Sequence, residues 1–354
     1  MREGSESVCE VALTGDFVSG GKLLYKNIGL SIFDAVEGIH YRFLEKPEPI
    51  LSPDHLQGVD ALICLSPRVT AETLARAVRL VAITRFGVGY DTVDVEACTE
   101  ADVALFITKG AVNYSVAEAI LGWMLALSHH VLQKDRLTRE GKWSEKGKWM
   151  GSELRRKTVG IIGLGGIGSA LVKLLSPFAV AEVIAFDPYV KPADGISAGS
   201  RLVELAELLR CSDHVLVTCP LNDETRGLLG SAELALMKQS AYLVNAARGG
   251  IVDEEALLEA LRLKRIAGAA IDVFATEPVT QHPFFELENV ILAPHCIAWT
   301  DELFEEIGSM CCRQVVSLVN GSIPEGLVNK EVCQRPGFIR KWRYLVERRS
   351  GIRA

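Results

Sequence analysis

Short apolar runs rich in β-branched residues alternate with segments of helical period along most of the chain. This alternation predicts an α/β architecture of parallel sheets covered on both faces. In the first third, strands are expected over 11–14, 61–65, 80–84 and 103–107, with a helix over 71–78. A long helix is expected over 116–134, where Ala117, Ile120, Leu121, Met124, Leu125 and Leu127 make an apolar face too broad for a single solvent-facing helix. Two tryptophan turns follow, Gly141-Lys142-Trp143 and Gly147-Lys148-Trp149, which suit either local burial or a subunit contact.

A second series opens at 158–162. Its further strands are expected over 183–186, 214–218, 241–245, 268–272 and 290–294, with helices over 167–175, 202–209 and 254–262. Six such strands make a complete dinucleotide-binding sheet. A helix over 301–319 then returns the chain to the first domain. The expected organisation is a discontinuous substrate-binding domain, residues 1–118 and 300–354, with a Rossmann domain, residues 119–299, inserted into it.

Composition narrows the classes of function. The chain has 354 residues, enough for two cores, and its 49% hydrophobic content with a mean hydropathy of +0.21 fits large buried sheets. A formal charge of −7 argues against a nucleic-acid partner, which calls for a basic surplus. The basic residues near the end (Arg335, Arg340, Lys341, Arg343, Arg348, Arg349 and Arg353) read as a solvated terminal helix with Trp342 and Leu345 inward. Nine cysteines without a CxxC pair indicate a reducing compartment and neither a disulfide nor a metal site. The polar start, residues 1–10, resembles no leader, and no apolar run is long enough for a membrane span; the expected location is cytoplasmic.

The chemistry gathers at the carboxyl ends of the second series of strands, where open α/β sheets bind ligands. Gly163-x-Gly165-x-x-Gly168 follows a strand and leads into a helix through Ile167. The first glycine permits a tight turn, the second lets the backbone approach a pyrophosphate, and the third lets helix and strand pack closely. The bland alternative is a purely structural turn. Asp187 ends the next strand about 20 residues on, where a carboxylate accepts from ribose hydroxyls and would repel a 2′-phosphate; this favours NAD over NADP. Cys219 and Pro220 follow the third strand, Arg248 the fourth, Asp272 and Glu277 the fifth, and His295 the sixth.

Reducing a 2-oxo acid requires a carboxylate to be held, a carbonyl polarised and a proton supplied. Arg248 suits the first two tasks through its planar, permanently charged fork. His295 suits the third, and Glu277 hydrogen-bonded to its second ring nitrogen would set the tautomer and favour the protonated ring.

These residues lie in runs that resemble the D-isomer-specific 2-hydroxyacid dehydrogenase family, in particular its phosphoglycerate dehydrogenase-like and glyoxylate/hydroxypyruvate reductase-like branches. The runs are Arg85-Phe86-Gly87-Val88-Gly89-Tyr90-Asp91, Ser115-Val116-Ala117-Glu118, Gly163-Leu164-Gly165-Gly166-Ile167-Gly168, Pro220-Leu221 with Glu224-Thr225-Arg226-Gly227, Asn245-Ala246-Ala247-Arg248-Gly249-Gly250-Ile251-Val252-Asp253-Glu254, Asp272-Val273-Phe274, Glu277-Pro278 and Pro294-His295. The resemblance implies two doubly wound domains, the catalytic one flavodoxin-like, and a (2R)-hydroxy acid as the reduced product. It implies that Val88 and Gly89 share the substrate carboxylate with Arg248. Asp272 would sit by the nicotinamide, and Cys219, Pro220, Thr225 and Ala246 would line the cofactor groove. It also implies a homodimer, with the long helix and tryptophan turns near the interface.

The chain departs from the family pattern at Gly166, where an arginine is common, and at Ile297, where a glycine is common two residues after the histidine. Trp299 beside it is expected in the substrate pocket, and Leu65, Ser66 and Arg68 are expected to face the substrate's side chain. Two rivals share the fold. Formate dehydrogenases carry glutamine where Glu277 stands, and corepressor-like NAD-sensing interaction proteins keep the triad.

Overall fold

The computed structural model describes residues 9–197 and 199–350. It divides into two compact units, Met1–Val112 with Thr300–Ala354, and Asn113–Trp299. Each is a doubly wound α/β domain with its own parallel sheet.

In the first unit the strands are β1 (Cys9–Leu13), a two-residue hairpin of β2 (Val18–Ser19) and β3 (Lys22–Leu23), β4 (Ile39–Phe43), β5 (Ala61–Cys64), β6 (Ala82–Arg85) and β7 (Ala104–Ile107). The sheet runs β4-β1-β5-β6-β7 and is parallel throughout. Counted along the sheet strands alone this is the flavodoxin-like order 2-1-3-4-5. Strand β4 was not expected, because His40 and Arg42 break its apolar run. As an edge strand it buries one face only, and its polar positions face outward. The expected helix over 71–78 shortens to Ala71–Leu74, started by the Thr70 hydroxyl accepting from the Thr73 N–H.

The basic terminal segment is a helix, Pro336–Ser350, but much of its charge is used inside the unit rather than solvated. The Lys341 ammonium donates to the carbonyls of Ala77, Leu80 and Ala101 at 3.2, 3.4 and 2.7 Å. These lie just beyond short helices, where backbone oxygens lack intrahelical donors. Arg348 and Arg79 both reach the buried Asp60, each at 2.6 Å. Trp342 and Leu345 face inward, as expected: the indole donates to the Leu318 carbonyl and Leu345 is buried. Arg353 lies outside the described residues.

The second unit contains β8 (Thr158–Ile162), β9 (Glu182–Phe186), β10 (Arg201–Leu202), β11 (His214–Val217), β12 (Tyr242–Asn245), β13 (Gly268–Ile271) and β14 (Val290–Leu292), in the order β10-β9-β8-β11-β12-β13-β14. Every pairing is parallel. This is the dinucleotide-binding order with one strand added. The sheet thus has seven strands where six were expected. β10 ends on the first residue of the expected helix over 202–209, and the helix begins only at Leu205.

The two-residue period of the strands sorts side chains between two cores. Val215, Val217, Leu243, Ala269 and Ile271 pack on one face with Leu208, Leu257 and Leu261. Leu216, Val244 and Ala270 pack on the other with Ile120, Met124 and Leu171.

The helix expected over 116–134 is two helices, Asn113–Ser128 and Val131–Arg139, bent by 58°. The break has a local cause. His130 adopts φ +51°, and the Ser128 carbonyl accepts from the Ser152 N–H at 2.8 Å. The first helix is buried on one face, whereas the second buries no residue. No single helix among the described residues is long and apolar enough to cross a membrane.

His214, at the start of β11, is buried against Tyr242 and bonded through Nε2 to the Ser128 hydroxyl at 3.2 Å. Burial lowers its pKa to about 4, so the folded chain holds it neutral while the unfolded chain protonates it near 6.5. Below 6.5 the unfolded state binds the extra proton, and stability falls as pH drops towards 4. Urea denaturation at pH 7 and pH 5 should show about 2 kcal/mol of this loss in the native chain and not in His214→Phe. Equal pH sensitivity in the two would assign the loss to other groups.

Candidate active site

The strand order reverses between β8 and β11, and the glycine turn leaves β8 at that point. Gly163 holds φ +97°, and a Cβ there would lie 2.7 Å from the Cys219 nitrogen. A Cβ at Gly165 would meet nothing within 4 Å, so the backbone is open to a ligand on that side. A Cβ at Gly168 would lie 2.4 Å from the Gly163 carbonyl oxygen, which is the close helix–strand packing expected of the third glycine. The helix Gly166–Leu175 starts here without a side-chain cap, leaving its first N–H groups for an anion.

Asp187 closes the turn. One carboxylate oxygen accepts from the Leu164 N–H at 2.8 Å and the other from the Tyr189 N–H at 2.9 Å. Each oxygen keeps a further lone pair, so the cradle fits an adenosine ribose and pyrophosphate. Gly166, where an arginine is common, faces Asn113: a Cβ at 166 would lie 2.3 Å from its Nδ2. The carboxamide of Asn113 therefore occupies the space where a side chain at 166 would begin.

Of the other expected groove residues, Cys219 is buried and burial raises its thiol to about 11, which leaves it a protonated packing group. The Thr225 hydroxyl donates to the Pro220 carbonyl at 2.7 Å and accepts from the Asn222 N–H at 2.8 Å, closing that loop on itself. Ile167 and Ala246 are half-buried at the ends of their elements.

Arg248, Glu277 and His295 are all brought to the carboxyl end of the sheet by β12, β13 and β14. One Glu277 oxygen lies 2.8 Å from His295 Nδ1, and the other accepts from the Phe274 N–H at 2.9 Å. Burial pushes the Glu277 carboxyl upward, but these two hydrogen bonds outweigh it and hold the group below the usual glutamate range. Arg248 contributes to that lowering through space.

His295 itself has φ +54°, a left-handed conformation that costs a non-glycine residue roughly 1–2 kcal/mol. Asp272 holds it there. Its backbone carbonyl accepts from the His295 N–H at 2.7 Å, and its carboxylate accepts from the N–H groups of Cys296 and Ile297 at 2.9 and 3.1 Å. Burial raises the Asp272 pKa, with those N–H donors working against the shift.

Several positioning residues escaped the sequence reading. Asn245 is buried, and its amide donates to the Arg248 carbonyl at 3.0 Å while its oxygen accepts from the Ala247 N–H at 3.2 Å. A polar residue closing an apolar strand was the available signal. A Cβ at Gly249 would lie 2.0 Å from the Phe274 carbonyl carbon, so the Arg248 loop rests directly on the backbone of the Glu277 loop. Leu65, Val88 and Gly89 belong to the first unit, just past β5 and β6, where Leu65 is buried and Val88 and Gly89 are half-buried. Trp299, by contrast, is half exposed in the second unit.

Residues 121–296 match the model for the NAD-binding domain of D-isomer-specific 2-hydroxyacid dehydrogenases. A glyoxylate reductase of Thermococcus gammatolerans is 37% identical over 83% of this chain and 90% of its own length. The chain belongs to the D-isomer-specific 2-hydroxyacid dehydrogenase family. As a member it is an NAD-dependent oxidoreductase. A D-3-phosphoglycerate dehydrogenase of Methanocaldococcus jannaschii is 38% identical over 78% of the chain, which spans only about half (53%) of that relative. A crystal structure of a Thermus thermophilus protein superposes with a TM-score of 0.79 at 29% identity, covering 90% of this chain and 99% of that one.

Within this family frame, the closeness of Gly249 to Phe274 makes a sharp test. Gly249→Ala should lower kcat/KM by on the order of 10²-fold, because backbone rather than a flexible side chain must move and a 1 Å displacement suffices for such a loss. NADH affinity, read by fluorescence titration, should stay within about two-fold. Unchanged kcat/KM would show that the two loops do not depend on each other.

Proposed function

We propose that this chain reversibly reduces a 2-oxo acid to a (2R)-hydroxy acid. The observation that carries the proposal is the 2.8 Å contact between Glu277 and His295 Nδ1 in a site that also holds Arg248. Bound NADH supplies the hydride that reaches the carbonyl carbon. Arg248 holds the substrate carboxylate and polarises the carbonyl. Glu277 engages Nδ1, so Nε2 is the nitrogen that donates its proton to the carbonyl oxygen, giving the hydroxyl. In the oxidative direction the neutral ring takes that proton back. Asp187 selects NAD by placing a carboxylate where a 2′-phosphate would fall.

The glyoxylate reductases that match along most of their length make glyoxylate the first acid to test, with hydroxypyruvate and larger 2-oxo acids beside it. Trp299 is the residue assigned to the substrate's side chain. A panel scored by nicotinamide absorbance with NADH and NADPH tests the assignment. Binding of NADH with turnover of no acid would overturn it. His295→Ala should abolish turnover while NADH affinity stays nearly intact; loss of both would make His295 a structural residue.

Glu277 orients His295 through Nδ1, so Glu277→Gln, which replaces the carboxylate by an amide, should lower kcat on the order of 10²-fold with NADH affinity within about two-fold. Native kcat would remove Glu277 from that role.

We also propose a homodimer through the Val131–Arg139 helix and the tryptophan turns. That helix buries nothing, and Val131, Leu132, Trp143 and Met150 are exposed together on this part of the unit, Trp143 by 69% and Met150 by 79%. Leu132→Glu with Trp143→Glu should change the light-scattering mass from two chains to one. A single-chain mass for the native protein would refute the assignment.

A further inference from the structure

Behind Glu277 lies a second carboxylate–histidine pair. Glu254 is the first residue of the helix Glu254–Arg262, whose N-terminus is capped by Asp253. One Glu254 oxygen accepts from the Ala275 N–H at 2.6 Å, and the other lies 3.3 Å from His282 Nε2. His282 Nδ1 accepts from the Phe284 N–H at 3.2 Å, so a neutral ring carries its proton on Nε2 and donates it to Glu254. The His282 side chain is 16% exposed and that of Glu254 25%. The imidazole packs on Phe274 and Phe284, with ring centres 5.3 and 4.4 Å away.

The loop that carries Glu277 is therefore gripped on both sides of that residue, at Ala275 and at His282, by one side chain projecting from the end of a helix. Loops move unless such contacts hold them. The Glu277 carboxylate has one hydrogen bond within its own loop, from Phe274, and its contact with His295 depends on where the loop sits.

We propose that Glu254 and His282 are positioning residues for the reaction: they set the height of the 275–282 loop so that Glu277 meets His295 Nδ1. The proposal rests on the acid–base reading of His295 and Glu277. The charged groups that face Glu277 are His295, Arg248 and Asp272, and none of them is removed by changing Glu254.

The test compares Glu254→Ala, Glu254→Gln, His282→Phe and His295→Asn in the full chain. It measures kcat and KM for NADH-dependent reduction of glyoxylate, or of the best acid found, with NADH binding by fluorescence and thermal melting alongside. Glu254→Ala should lower kcat about 10-fold with the KM for the acid within about two-fold, because a loosened Glu277 no longer orients the His295 ring while Arg248 is untouched. NADH affinity should stay within about two-fold. Glu254→Gln keeps an oxygen for the Ala275 N–H but sets its amide against His282 Nε2–H, so it should fall between native and Glu254→Ala. His282→Phe keeps the ring packing but loses the Glu254 contact and the hydrogen bond from the Phe284 N–H; it should lower kcat with KM likewise held, and it serves if Glu254→Ala does not fold.

A lower melting temperature in these variants with native kcat and KM would make the pair merely structural and overturn the proposal. If His295→Asn is inactive and the other variants are native, the brace alone is refuted. If His295→Asn turns over like the native chain, the acid–base reading falls, and the proposal with it.

Discussion

The backbone at Phe274 and Ala275 carries three separate loads. Glu277 takes the Phe274 N–H with one oxygen and so directs the other at His295. Gly249 lies against the Phe274 carbonyl at a distance no side chain would permit, which sets the height of the Arg248 loop. Glu254 holds the Ala275 N–H from the adjoining helix. An arginine from β12 and a glutamate from beyond β13 thus share one reference point. Their spacing is fixed by close contact of main chain on main chain, which does not relax as side chains do. Preorganisation of this kind allows a small polar site to act on a ground-state substrate without rearranging during the reaction.

A second constraint acts on the histidine from below. The φ of +54° at His295 is unfavourable by itself, and it persists because Asp272 satisfies the N–H groups of Cys296 and Ile297 while its own carbonyl takes that of His295. Charge-assisted hydrogen bonds to a buried carboxylate contribute roughly 1.5–3 kcal/mol each, enough to outweigh the strain. The resemblance had pointed Asp272 at the nicotinamide; its first partners are in the His295 turn. Sequence position placed the aspartate at the strand end correctly but held no information about which neighbour its carboxylate would find.

What was legible followed from period and position. Buried parallel strands read as apolar runs, and all ten expected strands are present because each has both faces covered or nearly so. The glycine turn was legible because each glycine answers a separate steric demand, and those demands reappear at Gly163, Gly165 and Gly168. Two of the four edge strands were not: β4 and β10 carry polar residues on their uncovered faces, so neither shows an apolar run, whereas the edge strands β7 and β14 do. The break at His130 was hidden because helical period continues across it, while its cause, the Ser152 N–H, is remote in sequence. Asn245 and Glu254 stand in a family-like run without an assigned role, and His282 in none, for the same reason: each forms hydrogen bonds to main chain or to a side chain in another segment, and residue type alone does not announce them.

The two departures from the family pattern differ in consequence. At Gly166 the lost side chain is answered locally, since the Asn113 carboxamide fills the space, and nothing else need change. Ile297 and Trp299 stand in the turn that carries His295. The Ile297 N–H is bound by the carboxylate of Asp272, and the Trp299 N–H donates to the carbonyl of Cys296 at 2.9 Å, next to His295. A side chain in this stretch cannot be re-aimed towards a different substrate without pulling on the hydrogen bonds that keep His295 in its left-handed conformation. In the proposed reaction, substrate choice and proton transfer are coupled through the five residues of backbone from His295 to Trp299. On that proposal, exchanging Trp299 for a smaller group, which leaves the main chain in place, is a less disruptive change than placing a glycine at 297, which would free the turn that Asp272 holds.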